Sequence, residues 1–254
     1  MPYLKISDER IFYTYHRSER GRAPALVLIH GAGGSHLLWG HAIRSLQGAN
    51  VYALDLPGHG RSDGRGRWSI GDYAEFIARF LDAATLERAV IAGHSMGGAI
   101  ALQCGLRNPT RLQGLALVGT GARLRVNPAI LDGLRQNFAA AVDLIIQYSF
   151  APSADPSLIA AARKQMLATS PAVLYDDFAA CDAFDVMTEL GHIHCPTQVI
   201  CGSSDMLTPL KYSEYLRDHI AGAQLSVIES AGHMVMLERP KAVADAVAAL
   251  LDRL

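Results

Sequence analysis

The chain has 254 residues, 50% of them hydrophobic and 19% charged, with a formal net charge of −1. This length allows one α/β domain with an insertion or two small domains, and the composition supplies a large core and argues against disorder. The near-neutral charge gives no reason to expect nucleic acid or an anionic membrane surface as a partner.

The cellular compartment is indicated only by absent signals and by the cysteines. The N-terminus lacks the basic and apolar pattern of a secretion signal, and no apolar run reaches the roughly 18 residues that cross a bilayer. The four cysteines form no Cys-x-x-Cys pair and are expected to be buried free thiols, as in a reducing compartment. We therefore expect a cytoplasmic protein without a membrane span.

The first part of the chain alternates strand and helix patterns. Residues 3–16 alternate as a strand pair does, and 25–29 form a continuous apolar run that is typical of a buried parallel strand. A short helix is predicted over 37–46 and a strand over 50–54. An amphipathic helix is predicted after Ser69, which is a suitable N-cap.

The sequence Gly-His-Ser-Met-Gly at 93–97 separates a run of β-formers from an alanine-rich run without proline. This pattern predicts a strand, a very tight turn and a helix over 95–107, with Ser95 at the apex in a strained backbone conformation. The turn would expose Oγ of Ser95 above the sheet and direct free N–H groups of the helix at the group it attacks. Ser95 is therefore a candidate nucleophile, and the alternative is an ordinary glycine-rich turn.

Residues 122–187 have a different pattern. A capping residue precedes a proline at 127–128, 155–156 and 170–171, so each pair predicts a helix start. Gly191 is expected to end the last helix. These signals predict an all-helical insertion.

Strand and helix patterns return after the insertion. Strands are predicted over 197–201 and 225–228, with a helix over 211–220 between them and another at the C-terminus. The whole chain therefore predicts an open, mostly parallel sheet with helices on both faces. Active sites in such sheets lie at the carboxyl ends of the strands.

A serine nucleophile needs a base, and the base needs an orienting anion. His233 follows the last predicted strand, and Asp205 follows the strand before it. The chain order Ser95, Asp205, His233 is the order expected for a hydrolase with this turn. A turn aspartate is the alternative for Asp205. His94 is adjacent to Ser95 but points elsewhere, so we expect it to have a structural role.

Other polar clusters have weaker functional interpretations. The glycine-rich loop at 30–35 does not match a nucleotide-binding fingerprint, so we expect its N–H groups to face an oxyanion. Asp55 and His59 could form a dyad, but hydrogen bonds that stabilise a loop are favoured. The ligand-type residues at 192–195 have no further ligand at a diagnostic spacing, so no metal site is predicted.

Taken together, these segments resemble the α/β-hydrolase family, of the single-chain type with a helical cap. The residues that carry the resemblance are His30-Gly31, Asp55–Ser62, Gly93–Gly98, Gly202–Asp205 and Gly232-His233. The resemblance covers nearly the whole chain and implies a core of 1–121 and 188–254, a cap of 122–187, and no cofactor or metal. It also implies that the backbone N–H groups of Met96 and Ala32 hold the oxyanion.

Within the family, the chain most resembles carboxylesterases and meta-cleavage-product hydrolases. The latter typically have Asn before the nucleophile and Trp shortly after the catalytic histidine, whereas this chain has His94 and the apolar run 234–237. We therefore expect a small-molecule ester substrate with a neutral short- to medium-chain acyl group. Hydrolysis of a carbon–carbon bond in a dienoate, lactone hydrolysis, and ligand reception without catalysis are the alternatives.

The substrate pocket is expected to be apolar. Its predicted lining comprises residues beside the acid and base and residues of the cap: Met206, Leu207, Met234, Val235, Phe138, Ile146, Phe150 and Phe178. The arginines of the cap, Arg123, Arg125 and Arg163, could bind a substrate carboxylate, although solvated surface charges are favoured.

Overall fold

Eight strands form one sheet in the computed structural model, which describes residues 3–19 and 21–254. The strands are β1 Tyr3–Ile6, β2 Glu9–His16, β3 Ala25–Ile29, β4 Asn50–Leu54, β5 Ala89–His94, β6 Leu112–Val118, β7 Thr197–Gly202 and β8 Gln224–Ile228. Their spatial order is β1-β2-β4-β3-β5-β6-β7-β8. The β1–β2 and β2–β4 pairs are antiparallel, and β3 to β8 run parallel. This confirms the predicted mostly parallel open sheet.

The helices lie between the strands and after the last one. They are α1 His41–Arg44, α2 Ile70–Ala83, α3 Met96–Arg107, α4 Pro128–Gln136, α5 Phe138–Ser149, α6 Pro156–Ala168, α7 Pro171–Asp182, α8 Leu210–His219, α9 Val235–Glu238 and α10 Pro240–Leu251. Ser69 caps α2 as predicted, since its Oγ accepts the N–H of Asp72. The single helix expected over 37–46 is a short 3-10 turn followed by α1.

Helices cover both faces of the sheet because side chains alternate along each strand. In β3, Val27 and Ile29 join the hydrophobic cluster that contains residues of α2 and α3. Leu26 and Leu28 point to the other face and join the cluster that contains residues of α1 and α10. All of these side chains are fully buried. Burial of each such side chain stabilises the fold by about 1.5–3 kcal/mol. The sheet therefore gives stable support to the loops at its carboxyl edge.

The helices α4 to α7 lie within the segment 122–187, for which the sequence predicts helices. Asn127 and Asp155 cap their helices by accepting the backbone N–H two residues later, whereas the Ser170 side chain makes no such bond. Gly191 does not end a helix, since α7 ends at Asp182 and Gly191 lies in a short 3-10 turn. The division into a core and a cap at 122–187 stays a prediction.

Candidate active site

Ser95 stands on the turn between β5 and α3, with φ +53° and ψ −116°. Few non-glycine residues adopt positive φ, and such strain costs about 1–3 kcal/mol. Hydrogen bonds on both sides hold the backbone here. Ser95 N–H donates to Val118 O at 2.9 Å, and the Thr120 hydroxyl donates to Ser95 O at 2.8 Å. The predicted strand, tight turn and helix are present.

The glycines around this turn allow strand and helix to approach closely. A Cβ on Gly93 would lie 2.0 Å from the carbonyl oxygen of Gly97, and a Cβ on Gly97 would lie 2.2 Å from that of Ile29. These neighbours are backbone atoms, which cannot move aside as a flexible side chain can. Both positions therefore require glycine, which explains the spacing of the motif.

His233 and Asp205 form a buried pair beside this turn. Nδ1 of His233 lies 2.9 Å from Oδ2 and 3.2 Å from Oδ1 of Asp205. Asp205 follows β7 and His233 follows β8, so adjacent parallel strands bring them together. An ionised carboxylate only accepts hydrogen bonds, so the proton of the pair lies on Nδ1 and leaves Nε2 free to accept another.

Asp205 is held as an anion in a fixed orientation. Its Oδ1 accepts the backbone N–H groups of Leu207 at 2.9 Å and Thr208 at 2.8 Å, and its Oδ2 accepts the Thr208 hydroxyl at 2.8 Å. Burial raises the pKa of Asp205, but the electrostatic attraction to His233 and the hydrogen bonds from His233 and Thr208 outweigh burial and place the pKa below its ordinary value.

His94 supports the loop that carries His233. Its Nε2 lies 2.9 Å from the backbone oxygen of His233, and the two rings lie 4.7 Å apart between centroids. Because a carbonyl only accepts, Nε2 of His94 carries the proton. Burial and the neighbouring His233 lower the pKa of His94 to about 3, so the ring is neutral at neutral pH. This placement fits the structural role expected for it.

Ser95 and His233 line one cavity of about 390 Å³, together with Ala32. The backbone of residue 31 passes beside the serine, since a Cβ on Gly31 would lie 3.1 Å from Cβ of Ser95. Met96 is the first residue of α3, where backbone N–H groups have no partner within the helix. The assignment of the Ala32 and Met96 N–H groups to an oxyanion stays a prediction.

The cavity walls are mostly apolar and include part of the predicted lining. Four predicted residues line the cavity: Met206, Leu207, Met234 and Phe178. The other four pack in or against a hydrophobic core cluster instead: Val235, Phe138, Ile146 and Phe150. Residues three or four apart share one helix face, and α5 turns Ile145, Tyr148 and Ser149 toward the cavity. That rotation points Ile146 away from it.

Of the arginines considered as carboxylate ligands, Arg125 lines the cavity. Its side chain is anchored by a 2.8 Å hydrogen bond from Nη1 to the backbone oxygen of Asp182. Arg163 pairs with Asp143 at 2.5 Å, and Arg123 lies 3.8 Å from a carboxylate oxygen of Asp185.

Asp55 and His59 form separate networks. Asp55 accepts the backbone N–H and the ring Nδ1 of His36 at 2.7 and 2.8 Å. The ring of His59 instead contacts Asp177 of α7, Nε2 to Oδ2 at 2.8 Å. The favoured prediction of loop stabilisation fits these contacts. The sequence does not predict a role for Asp177, because nothing local distinguishes one aspartate of a helix from another.

Two kinds of feature are absent from residues 3–19 and 21–254. In this part of the chain, no group of three or more His, Cys, Asp or Glu side chains is arranged to hold a metal ion. No helix of the same residues is both long and apolar enough to cross a membrane. The cysteines are free thiols, and Cys104, Cys181 and Cys201 are buried.

Comparison with known proteins gives matches that extend over most of the chain. The model of the alpha/beta hydrolase family matches residues 26–246. The 3-oxoadipate enol-lactonase 1 of Acinetobacter baylyi is 29% identical over 231 residues, which cover 86% of this chain and 85% of that protein. A solved thermophilic esterase is 36% identical with a TM-score of 0.87, and the match covers 99% of this chain and 96% of the esterase. The enol-lactonase from Burkholderia xenovorans LB400 is 26% identical with a TM-score of 0.90, and the match covers 99% of this chain and 100% of the enol-lactonase.

Proposed function

This chain belongs to the alpha/beta hydrolase family, and we propose that it is a serine hydrolase of neutral carboxylic esters that works through an acyl-enzyme intermediate. One observation carries the proposal: the strained Ser95 lines the same cavity as His233, whose Nδ1 contacts the buried Asp205 at 2.9 Å. Nucleophile, base and orienting anion are the parts that acyl transfer to a serine requires.

The proposed reaction begins with attack of Ser95 Oγ on the ester carbonyl. Nε2 of His233 takes the hydroxyl proton, and Asp205 stabilises the imidazolium that forms. The negative charge of the tetrahedral intermediate is held by the backbone N–H groups of Met96 and Ala32. When the intermediate collapses, His233 returns the proton to the leaving alcohol and the acyl group stays on Ser95.

Water completes the cycle. It enters where the alcohol left, and Nε2 of His233 removes one of its protons as the oxygen attacks the acyl carbonyl. Collapse of this second intermediate releases the carboxylic acid and returns the proton to Ser95 Oγ. The chemistry is carried by side chains and backbone groups of this chain alone.

A fluorophosphonate probe tests whether the site is active at all. We expect the probe to react with the intact protein and mass spectrometry to place the adduct on Ser95. Protein unfolded in urea should not react, because the serine hydroxyl then loses its base. A folded protein that stays unlabelled would favour the non-catalytic alternative, a ligand receptor on the same fold.

The apolar cavity predicts the substrate class. A substrate carboxylate is costly to bury without a cationic partner. We expect kcat/KM for the best neutral p-nitrophenyl ester of a short or medium acyl chain to exceed that for a dienoate at least about tenfold. Steady-state assays across acyl lengths measure this ratio.

Arg125→Ala provides the control for this prediction, since Arg125 belongs to the predicted cap and lines the cavity. We expect the variant to leave the preference for neutral esters in place. A dienoate that is preferred by the intact protein and loses its advantage in Arg125→Ala would show that the cavity binds anionic substrates instead.

Lactone hydrolysis is the second candidate, because the chain resembles enol-lactonases in both sequence and structure. The steps are the same, except that the leaving alcohol remains attached to the acyl group. A neutral lactone assayed beside the linear esters separates the two substrate classes through their kcat/KM values.

A further inference from the structure

Asp177 of α7 connects the helical segment to the loop that contains Ala32. The side chain is fully buried and accepts hydrogen bonds from three separate parts of the fold. Gly33 N–H donates to Oδ2 at 2.9 Å, His59 Nε2 donates to the same oxygen at 2.8 Å, and the Tyr73 hydroxyl donates to Oδ1 at 2.7 Å. A buried carboxylate with this set of donors fixes the position of each of them.

The hydrogen bonds of His59 show that it faces Asp177 as a cation. Nδ1 lies 3.0 Å from the backbone oxygen of Pro57, and Nε2 lies 2.8 Å from the Asp177 carboxylate. Both partners only accept, so both ring nitrogens carry a proton. Burial lowers the pKa of His59, but the charge and hydrogen bond of Asp177 outweigh burial and raise the pKa above its ordinary value.

The helical segment also holds the loop by other contacts. The Thr169 hydroxyl donates to Gly33 O at 3.1 Å, and Gln165 Nε2 donates to Ser35 Oγ at 2.9 Å. A Cβ on Gly33 would lie 2.5 Å from Cδ1 of Leu174, so α7 packs directly on this residue. Both backbone groups of Gly33 are therefore bonded to the helical segment.

We infer that Asp177 is a positioning residue that sets the Ala32 N–H for the oxyanion, so the helical segment completes the active site. Asp177 acts through the backbone of Gly33, the residue that follows Ala32. This inference rests on the proposed function, since it assigns a purpose to one of the oxyanion donors proposed there. Under this inference, catalysis requires α7 to be packed against the loop that contains Ala32.

Asp177→Asn tests the inference. Gly33 N–H and His59 Nε2 both use Oδ2, so the amide oxygen would stay there and the NH₂ group would face the Tyr73 hydroxyl, which could then no longer donate to the side chain. The amide also carries no negative charge, so the bonds to His59 and Gly33 become weaker. We expect the loop to shift and kcat for a p-nitrophenyl ester to fall by about 10- to 100-fold, less than the full loss of an oxyanion donor. KM should change by less than about threefold, because the cavity walls remain.

Asp143→Asn is the matched control. It removes another carboxylate of the helical segment, one that pairs with Arg163 on the exposed surface, and should leave kcat within about twofold. Ser95→Ala is assayed in parallel. If Ser95→Ala keeps its activity, the proposed function fails. If Ser95→Ala is inactive but folded Asp177→Asn has normal kcat, or a defect in KM alone, this inference fails.

If Asp177→Asn does not fold, Tyr73→Phe provides the milder test. It keeps the carboxylate and removes one of its donors, the hydroxyl at 2.7 Å. We expect kcat to fall by about three- to tenfold with an unchanged KM, a smaller effect than the loss of a whole oxyanion donor. An unchanged kcat in the folded Tyr73→Phe protein would overturn the inference.

The positive charge of His59 makes the strength of its interaction with Asp177 depend on pH. The titratable groups whose charges act on His59 are Asp177 and Asp55, and the ring beside it is the neutral His30, whose pKa is lowered to about 4 by burial and by His59. Tyr73 shares the Asp177 carboxylate with His59. Since the folded pKa of His59 is raised, its stabilising contribution is complete below the unfolded value of about 6.5 and is lost as pH rises through the folded pKa. Burial and Asp177 raise the pKa of Tyr73 well above its ordinary value, so the tyrosine titrates later.

We expect kcat to decline as the pH rises through the raised pKa of His59, because the deprotonated ring binds Asp177 less strongly. His59→Gln does not titrate, so it should have a lower kcat than wild type below that pKa and should lack this decline. Profiles of kcat against pH for the wild type, Asp143→Asn and His59→Gln measure this. A decline of the same size and position in His59→Gln would overturn the link between this ion pair and the oxyanion loop.

Discussion

Replacing Ser95 by alanine is expected to lower kcat for ester hydrolysis by about 10⁴- to 10⁶-fold. The hydroxyl supplies the attacking oxygen. Without it, the only remaining route is direct attack by water, assisted by the oxyanion donors and by substrate binding in the cavity. Binding should persist, because the cavity walls are unaffected and KM reflects them. The fold should persist as well, since the backbone contacts that hold the turn come from Val118 and Thr120 rather than from the Ser95 side chain.

Ser7→Ala is a matched control for the backbone. Ser7 also has a φ of +53°, but it lies in the exposed turn between β1 and β2, far along the chain from the site. The Ser7→Ala variant therefore measures how much a serine-to-alanine change at such a φ lowers the stability of the fold, separately from any effect on catalysis. Circular dichroism and thermal melting should give both variants the wild-type fold. If pure Ser95→Ala retains more than about a tenth of the wild-type kcat, Ser95 is not the nucleophile.

The features that could be predicted from the sequence depend on short stretches of chain. The run from 89 to 107 contains its own strand, glycines, serine and helix, so its turn geometry follows from local sterics. The neighbouring positions of Asp205 and His233 follow from a general rule, because parallel strands end at one edge of a sheet. Here β7 and β8 are paired along their length, which brings these two residues into contact.

Features that depend on packing between distant segments could not be predicted. Asp177 contacts Gly33 across 144 positions of the chain, and no local pattern records that contact. The rotation of α5 decides that Ile145 rather than Ile146 faces the cavity, yet both are buried and apolar. Hydrophobic spacing identifies the buried stripe of a helix, but it does not say whether the stripe faces a core or a cavity.

Asp205→Asn is expected to lower kcat by about 10³- to 10⁴-fold with little change in KM. The amide orientation follows from the contacts of the carboxylate. The backbone N–H groups of Leu207 and Thr208 donate to Oδ1, so asparagine must keep its oxygen there and place its NH₂ group where Oδ2 now faces His233. An NH₂ group donates, so Nδ1 of His233 must accept and the ring proton must move to Nε2. In that tautomer Nε2 cannot take the proton of Ser95.

Asp185→Asn is the control, because Asp185 is a half-exposed carboxylate that lies 3.8 Å from Arg123 and outside the cavity lining. We expect its kcat to stay within about twofold of wild type, as for other exposed ion pairs. Steady-state kinetics of both variants, with ¹⁵N NMR of the imidazole of His233 to identify the tautomer, measure the rate and its cause together. Near wild-type kcat in Asp205→Asn alongside a large loss in Asp185→Asn would show that the orienting anion had been assigned to the wrong aspartate. A slow Asp205→Asn enzyme with the proton still on Nδ1 would mean that the carboxylate acts through its charge, by stabilising the imidazolium, rather than by selecting the tautomer.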